Sequence, residues 1–427
     1  QEGTYMANKV IIVGCGPSGM MAAISCARLG ADVTVLEGQK TPGKKLLLTG
    51  NGRCNLTNLN FQPIKDYTSS DAGFLRPLLE EVFSRFSVED TLSFFHEIGL
   101  MTVTDHGTYV YPLTGQSKTV LDLLLSEMRR LKVKLKLNEK AERIVRNEGG
   151  WKVYTQTWAY DCSRVILSCG SCAVPSTGSD GSGYQIASGA GLEIEKPLPA
   201  LCACRCELPV SAFGTRMQVR LTAIVDQTEV CSEEGQLQWT ENGLSGIVVF
   251  NLSRYVSRAV GHGKKAGFLI DLLPQMGEAE LAFELERIRS RIESGDESGV
   301  LQNLPEKVLM GILPSRVISL VLAEYNKHKK ESFDAALLAA QIKAFRTAVT
   351  AVRDFEYCQV AAGGVKISQV RPESLECRDK NLQGIYLTGE LLDVDGPCGG
   401  YNLQWAWSSG YVAGVHAAIE TESQETE

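Results

Sequence analysis

Lys9 to Gly38, "KVIIVGCGPSGMMAAISCARLGADVTVLEG", reads as one unit: an apolar strand at 10–13, a glycine turn, an amphipathic helix stopping before Gly30, and a second strand at 33–36. Gly14, Gly16 and Gly19 have G-x-G-x-x-G spacing. The first permits a tight turn, the second lets a pyrophosphate approach the backbone, and the third allows close packing of the helix. Pro17 and Ser18 lie in the helix opening, whose unpaired N–H groups face the phosphates. Glu37 closes the second strand 18 residues beyond Gly19, with Gly38 after it, where a carboxylate accepts from both hydroxyls of a ribose. The unit predicts a dinucleotide site in a Rossmann-like α/β fold. The acid favours NAD or FAD over a ligand with a 2′-phosphate.

The other end of the chain decides between NAD and FAD. Leu382 to Ile419, "LQGIYLTGELLDVDGPCGGYNLQWAWSSGYVAGVHAAI", holds a short strand at 385–388 followed directly by Gly389 and Glu390. Beyond Gly399 and Gly400 a long helix starts near Asn402 and Leu403, with small residues at Ser408, Gly410, Ala413 and Gly414 for close packing. A flavin needs a strand-end carboxylate for its ribityl hydroxyls and a helix N-terminus at N1 and the C2 carbonyl. Reduced flavin carries negative charge there, which the helix dipole stabilises.

"GNGRCNLTN" (50–58), "TENGLSG" (240–246), "AAGGV" (361–365) and "TGELLDVDGPCGGYNLQWAWSSGYVAG" (388–414) closely resemble motifs of the BaiN-like bacterial flavoprotein family, also labelled aminoacetone-oxidase-like. The resemblance runs from Lys9 to Ile419. It implies non-covalent FAD in a two-dinucleotide-binding-domain-type fold with two inserted segments. It also implies an activity of the kind best described in the family, reduction of C=C bonds in 3-oxo bile acid intermediates; amine oxidation is attached to other members. Where the family usually has an Ala-Thr-Gly-Gly loop this chain has "LSCGSC" (167–172), leaving Gly170 as the only glycine there for a close approach to flavin or pyrophosphate.

Cys54 follows the first glycine motif at the distance of a redox cysteine in flavin-dependent disulfide reductases, yet the next cysteine is Cys162, so a disulfide partner a few positions on is missing. The loop around it is expected to cover the cofactor. Thr49, Gly50, Gly52, Arg53 and Asn55 would contact pyrophosphate or flavin edges, with Lys44 or Lys45 supplying phosphate charge and Cys54 packing nearby without cycling. Ala141 completes the cofactor set. "CGSC" (Cys169, Cys172) and "CACRC" (Cys202, Cys204, Cys206) have redox or zinc-like spacings but no surrounding loop architecture, so no metal site is expected.

The chain has 427 residues, enough for more than one core, with 44% hydrophobic and 22% charged residues. From about 193 short alternating segments suggest an inserted β-rich domain, 193–273 and 330–361; 274–329 turns helical and is expected to form a small lid over the substrate. The FAD-binding domain takes 6–192 and 362–421. Residues 1–5 read as a cloning remnant and 422–427 as a disordered tail. A net charge of −7 argues against nucleic acid, and no apolar run reaches bilayer length, so a cytoplasmic monomer or homodimer acting on a small molecule is expected.

The expected reaction is hydride transfer from FAD, reduced transiently by NADH or NADPH, to an activated alkene in a small apolar, steroid-like enone. No second glycine motif in strand and helix context offers the nicotinamide its own domain. Tyr401, Tyr111 and Arg53 are the candidate proton donors. The rival readings are an amine oxidase passing electrons to dioxygen, and an FAD-bound RNA-modifying or redox-sensing protein.

Overall fold

The computed structural model describes residues 8–295, 303–328 and 332–419; the expected remnant and tail lie outside them. The chain divides into two compact units, Pro199–Asp354 and the segments on either side of it.

The flanking segments build a parallel five-stranded sheet in the order Ile385–Leu387, Arg164–Leu167, Lys9–Val13, Asp32–Glu37, Lys134–Leu137. Its strands Lys9–Val13, Arg164–Leu167 and Ile385–Leu387 are nearly continuous apolar runs because both faces are covered there, whereas the edge strand Lys134–Leu137 alternates Lys and Leu and is largely exposed. Val10, Ile11, Ile12, Val165, Ile166 and Leu387 are fully buried. Two helices lie together against it, Pro17–Arg28 and Tyr401–Ala418. The second is apolar almost all round and buried along nearly its whole length, as a central helix must be. Its small residues permit the approach: a Cβ at Gly414 would lie 2.5 Å from Ala22 O. Antiparallel hairpins complete this unit, among them the sheet Thr57–Asn58, Tyr109–Pro112, Thr102–Asp105.

Pro199–Asp354 contains a closed six-stranded barrel. Period-two alternation drives it: along Phe345–Val352, Phe345, Thr347 and Val349 point inward while Arg346, Ala348 and Thr350 are exposed. Helices Glu278–Ser294, Ser315–His328 and Ala335–Lys343 place Leu281, Leu285, Val321 and Leu338 in the same core as barrel residues Phe268, Ile270 and Phe345. Of the stretch 330–361 expected to be β-rich, Ala335–Lys343 is a helix and Phe345–Val352 a strand. Residues 355–359 are irregular instead: Phe355 O accepts from Val174 N, and regular pairing resumes only at Val360–Val365.

Candidate functional site

The first turn is built by exclusion. Gly14 has φ +101°, and a Cβ there would sit 2.5 Å from Ser168 O; one at Gly19 would overlap Gly14 O. At Gly16 a Cβ would meet nothing within 4 Å, so this face is open to a ligand. The helix starts at Pro17 without a side-chain cap, leaving first-turn N–H groups, those of Ser18 and Gly19 among them, aimed past Gly16. Glu37 accepts from Cys15 N through Oε2 (2.9 Å) and from Gln39 N through Oε1 (2.8 Å). Each oxygen keeps a lone pair for a ribose hydroxyl. Burial pushes this carboxyl above its usual range, opposed by the two amides and by Lys44. Gly38 packs on Lys140, and Ala141 begins the strand Ala141–Asn147 beside it.

The loop after the short helix Lys44–Leu48 is held in left-handed backbone at Gly50 (φ +57°), Asn51 (+55°), Gly52 (+83°) and Cys54 (+61°). Thr49 Oγ1 donates to Leu46 O at 2.7 Å, and Asn55 Nδ2, oriented by its acceptors, donates to Thr57 O and Val110 O. Cys54 is fully buried and burial pushes its thiol up to about 12, so it is no thiolate nucleophile. The cations expected at phosphates have partners in this chain: Lys44 Nζ donates to Gln39 Oε1 (2.7 Å) and Lys45 pairs with Glu390 (2.6 Å). Arg53 pairs with Asp105 (3.3 Å) and lies over the Tyr111 ring, 4.0 Å from its centroid.

At the other end Trp405 Nε1 donates to Gly389 O (2.9 Å) and Gly389 N donates to Ser409 Oγ (3.0 Å), so the final helix fixes the turn that presents Glu390. Gly399 and Gly400 have φ +113° and +97°; Cβ atoms there would lie 2.7 Å from the Tyr109 ring and 2.6 Å from Thr57 C. Asn58 Nδ2 donates to Gly399 O and Thr57 Oγ1 to Gln404 Oε1, binding the cysteine loop to the helix start. That start has no side-chain cap. Asn402 spends its amide on Gly396 and Pro397, and Leu403 is buried, so what they offer a ligand is main-chain N–H.

Tyr401 points elsewhere. Its hydroxyl donates to Asn60 O (3.0 Å), and its ring is buried beside Phe61 and Tyr67, a poor position for a proton donor. Gly170 has φ +70°, and the neighbouring Ser171 Oγ donates to Glu390 Oε2 (3.2 Å). Every cysteine is a free thiol; burial pushes Cys169 up to about 12 and Cys172 to about 11. Only Cys204 and Cys206 of the second cluster share a strand, Cys204–Cys206, with Cys202 before it. Among the described residues no group of three or more His, Cys, Asp or Glu is arranged to hold a metal, and no helix is long and apolar enough to cross a membrane.

Sequence reading missed Asp393 and Asp395. Fully buried Asp393 accepts from Gly363 N (2.9 Å), Ser69 Oγ (3.1 Å), Ser70 N (2.8 Å) and Ser70 Oγ, and Asp395 accepts from Thr68 Oγ1 (2.9 Å). They tie the returning "AAGGV" strand and residues 68–70 to the loop before the last helix. The alternation of two acids in "LLDVDG", otherwise apolar, is the signal that could have found them.

The model of the HI0933-like protein Rossmann domain matches residues 8–416. The chain belongs to this HI0933-like family. Among family relatives, a protein of Clostridium scindens described as a 3-dehydro-bile acid delta(4,6)-reductase is 37% identical over 96% of this chain and 99% of its own length. A ribosomal RNA dihydrouridine synthase of Haemophilus influenzae is 27% identical over 95% of this chain and 97% of its own. A solved structure of a 3-ketosteroid-delta4-(5alpha)-dehydrogenase from Rhodococcus jostii RHA1 covers 98% of this chain and 99% of that one, with TM-score 0.50 and 16% identity, a likeness of fold.

Proposed function

We propose that this chain binds FAD non-covalently and, with NADH or NADPH as electron donor, saturates a C=C bond conjugated to a carbonyl in a small apolar substrate such as a 3-oxo steroid or bile-acid enone. The observation that carries the reading is the pairing of two ligand-ready ends on one parallel sheet. The open face at Gly16 with the Glu37 carboxylate suits the AMP half of FAD. The Gly389–Glu390 turn and the uncapped helix start at Gly400 suit the ribityl chain and the flavin. FAD supplies the hydride chemistry. The protein's part is to hold it through Glu37, the first-turn amides and Glu390, with Lys45 neutralising Glu390 across 2.6 Å.

The substrate class rests on the relatives: a delta(4,6)-reductase of 3-oxo bile acids saturates alkenes conjugated to a carbonyl, the chemistry hydride addition requires. A second reading keeps the reaction and moves it to a uridine ring in RNA, favoured by the dihydrouridine synthases in the family. The formal charge of −7 weighs against a polyanion as substrate.

The test is an anaerobic titration of the yellow protein with NADH and NADPH, followed by an enone. Bleaching of the flavin by a nicotinamide and its recovery with the enone support the reductase. Failure of both nicotinamides to bleach it refutes the nicotinamide-driven reading.

A further inference from the structure

Saturating an enone takes a proton as well as a hydride, and the structure separates the tyrosines that could give it. Tyr401 donates to Asn60 O, Tyr67 to Tyr401 O (2.6 Å) and Tyr184 to Glu390 O (3.4 Å). The Tyr111 hydroxyl makes no hydrogen bond among the described residues, and its side chain is half-buried.

Its position follows from the strand Tyr109–Pro112. Tyr109 and Tyr111 are two apart and share a face. The Tyr109 ring lies against Gly399, at the start of the last helix, and the Tyr111 ring lies against Gly50, where a Cβ would come within 3.3 Å of Cε1. One strand face therefore joins the loop expected to cover the cofactor to the helix start assigned to the flavin. Thr57↔Val110 and Asn58↔Tyr109 pairing fixes its register. Arg53 covers the Tyr111 ring at 4.0 Å and is itself paired with Asp105.

Resting on the function proposed above, we propose that Tyr111 is the proton donor to the alkene and that Arg53 is the positioning residue holding its ring. In this step the alkene gains two electrons and two hydrogens: its β carbon takes the hydride that the reduced cofactor supplies, which is thereby oxidised, and its α carbon takes the proton of Tyr111 Oη. Water returns a proton to the phenolate. The charged and titratable groups around the phenol are Arg53, Asp105, Tyr109 and Cys54; burial raises its pKa, Arg53 lowers it and the other three raise it, so it stays neutral at physiological pH.

The experiment reduces FAD-loaded enzyme with stoichiometric dithionite, so that no nicotinamide step enters, and follows reoxidation by cyclohex-2-enone and by 4-androstene-3,17-dione without oxygen. Tyr111→Phe is expected to slow reoxidation about 100-fold or more, the contribution of a positioned general acid. Independently of turnover, NMR titration of tyrosines labelled at Cζ is expected to show one phenol, absent in Tyr111→Phe, titrating above the ordinary range. It should move higher still in Arg53→Gln, carrying the alkaline limb of the reoxidation profile with it. Reoxidation of Tyr111→Phe at the wild-type rate, or an Arg53→Gln titration that does not move, overturns the proposal. A wild type that neither enone reoxidises overturns the enone reading itself, and the proposal with it.

Discussion

Glu37→Gln is expected to weaken FAD binding far more than it destabilises the fold. In the folded chain Glu37 Oε1 and Oε2 accept from Gln39 N at 2.8 Å and Cys15 N at 2.9 Å. A glutamine keeps one acceptor and turns an NH2 toward the other amide, leaving a buried donor facing a donor at about 1–3 kcal/mol. The burial penalty that pushes the carboxyl up falls only on the charge, and the neutral amide escapes it. These effects oppose, so urea unfolding of the apo protein should shift by no more than about 1 kcal/mol. Ligand binding has no such offset. A ribose hydroxyl that loses a charged acceptor gives up about 1.5–3 kcal/mol, roughly 10- to 150-fold in Kd. The assay is fluorescence titration of apo protein with FAD, ADP-ribose and FMN: the first two should weaken together, and FMN, lacking the AMP half, should not change. Because the carboxyl is raised, wild-type FAD affinity should also fall as pH drops through that raised value, when the neutral acid loses an acceptor. The same shift makes the contribution of Glu37 to apo stability grow as pH falls toward the ordinary carboxylate range, since the folded chain then holds the proton more tightly. FAD affinity of Glu37→Gln within about twofold of wild type would refute the placement of the ribose here.

Two alanines divide the glycine motif by role. Gly19→Ala collides with Gly14 O and should cost about 1–3 kcal/mol in apo thermal unfolding, whereas Gly16→Ala meets open space, should melt like the wild type and should lose FAD. Cys54, buried with its thiol at about 12, should escape iodoacetamide at pH 8 in the native protein and react once unfolded, as mass spectrometry of the peptides would show. Hydrogen bonds from Arg130 and Arg28 hold the Glu127 carboxyl at about 2, below its ordinary 4.5. Its stabilising contribution is therefore full above the ordinary value and lost as pH falls from there through about 2, so Glu127→Gln should flatten the wild-type loss of stability over that window.

The glycine unit and the final helix were legible because they are local: turn geometry, strand and helix period, and a terminal acid all lie within one stretch of sequence. What stayed hidden depends on long-range pairing. Lys45 reads as a phosphate cation, and its pairing at 2.6 Å with Glu390, 345 residues away, could not be read from the chain. Tyr401 sits nearest the helix start in sequence, yet its hydroxyl is used by Asn60, and only folding brings Tyr111, from the strand Tyr109–Pro112, against Gly50 and Arg53 of the loop. The anchoring role of Asp393 was hidden for the same reason, since its donors come from residues 69, 70 and 363. The β-rich character of the insertion was visible as alternation, but neither its closure into a barrel nor the helices between its last two strands sharing its core could be read from periodicity, which gives a helix's apolar face and not what covers it.

If this chain adds hydrogen across a conjugated double bond, the mass of the product must show it. FAD-loaded protein, NADH or NADPH and a 3-oxo-4,6-diene steroid are incubated without oxygen in D2O, and the product is analysed by mass spectrometry. The expected product is saturated and carries at least one deuteron from solvent for each double bond reduced. Unchanged steroid, together with peroxide formed from a small amine in air without nicotinamide, would contradict it and establish an oxidase.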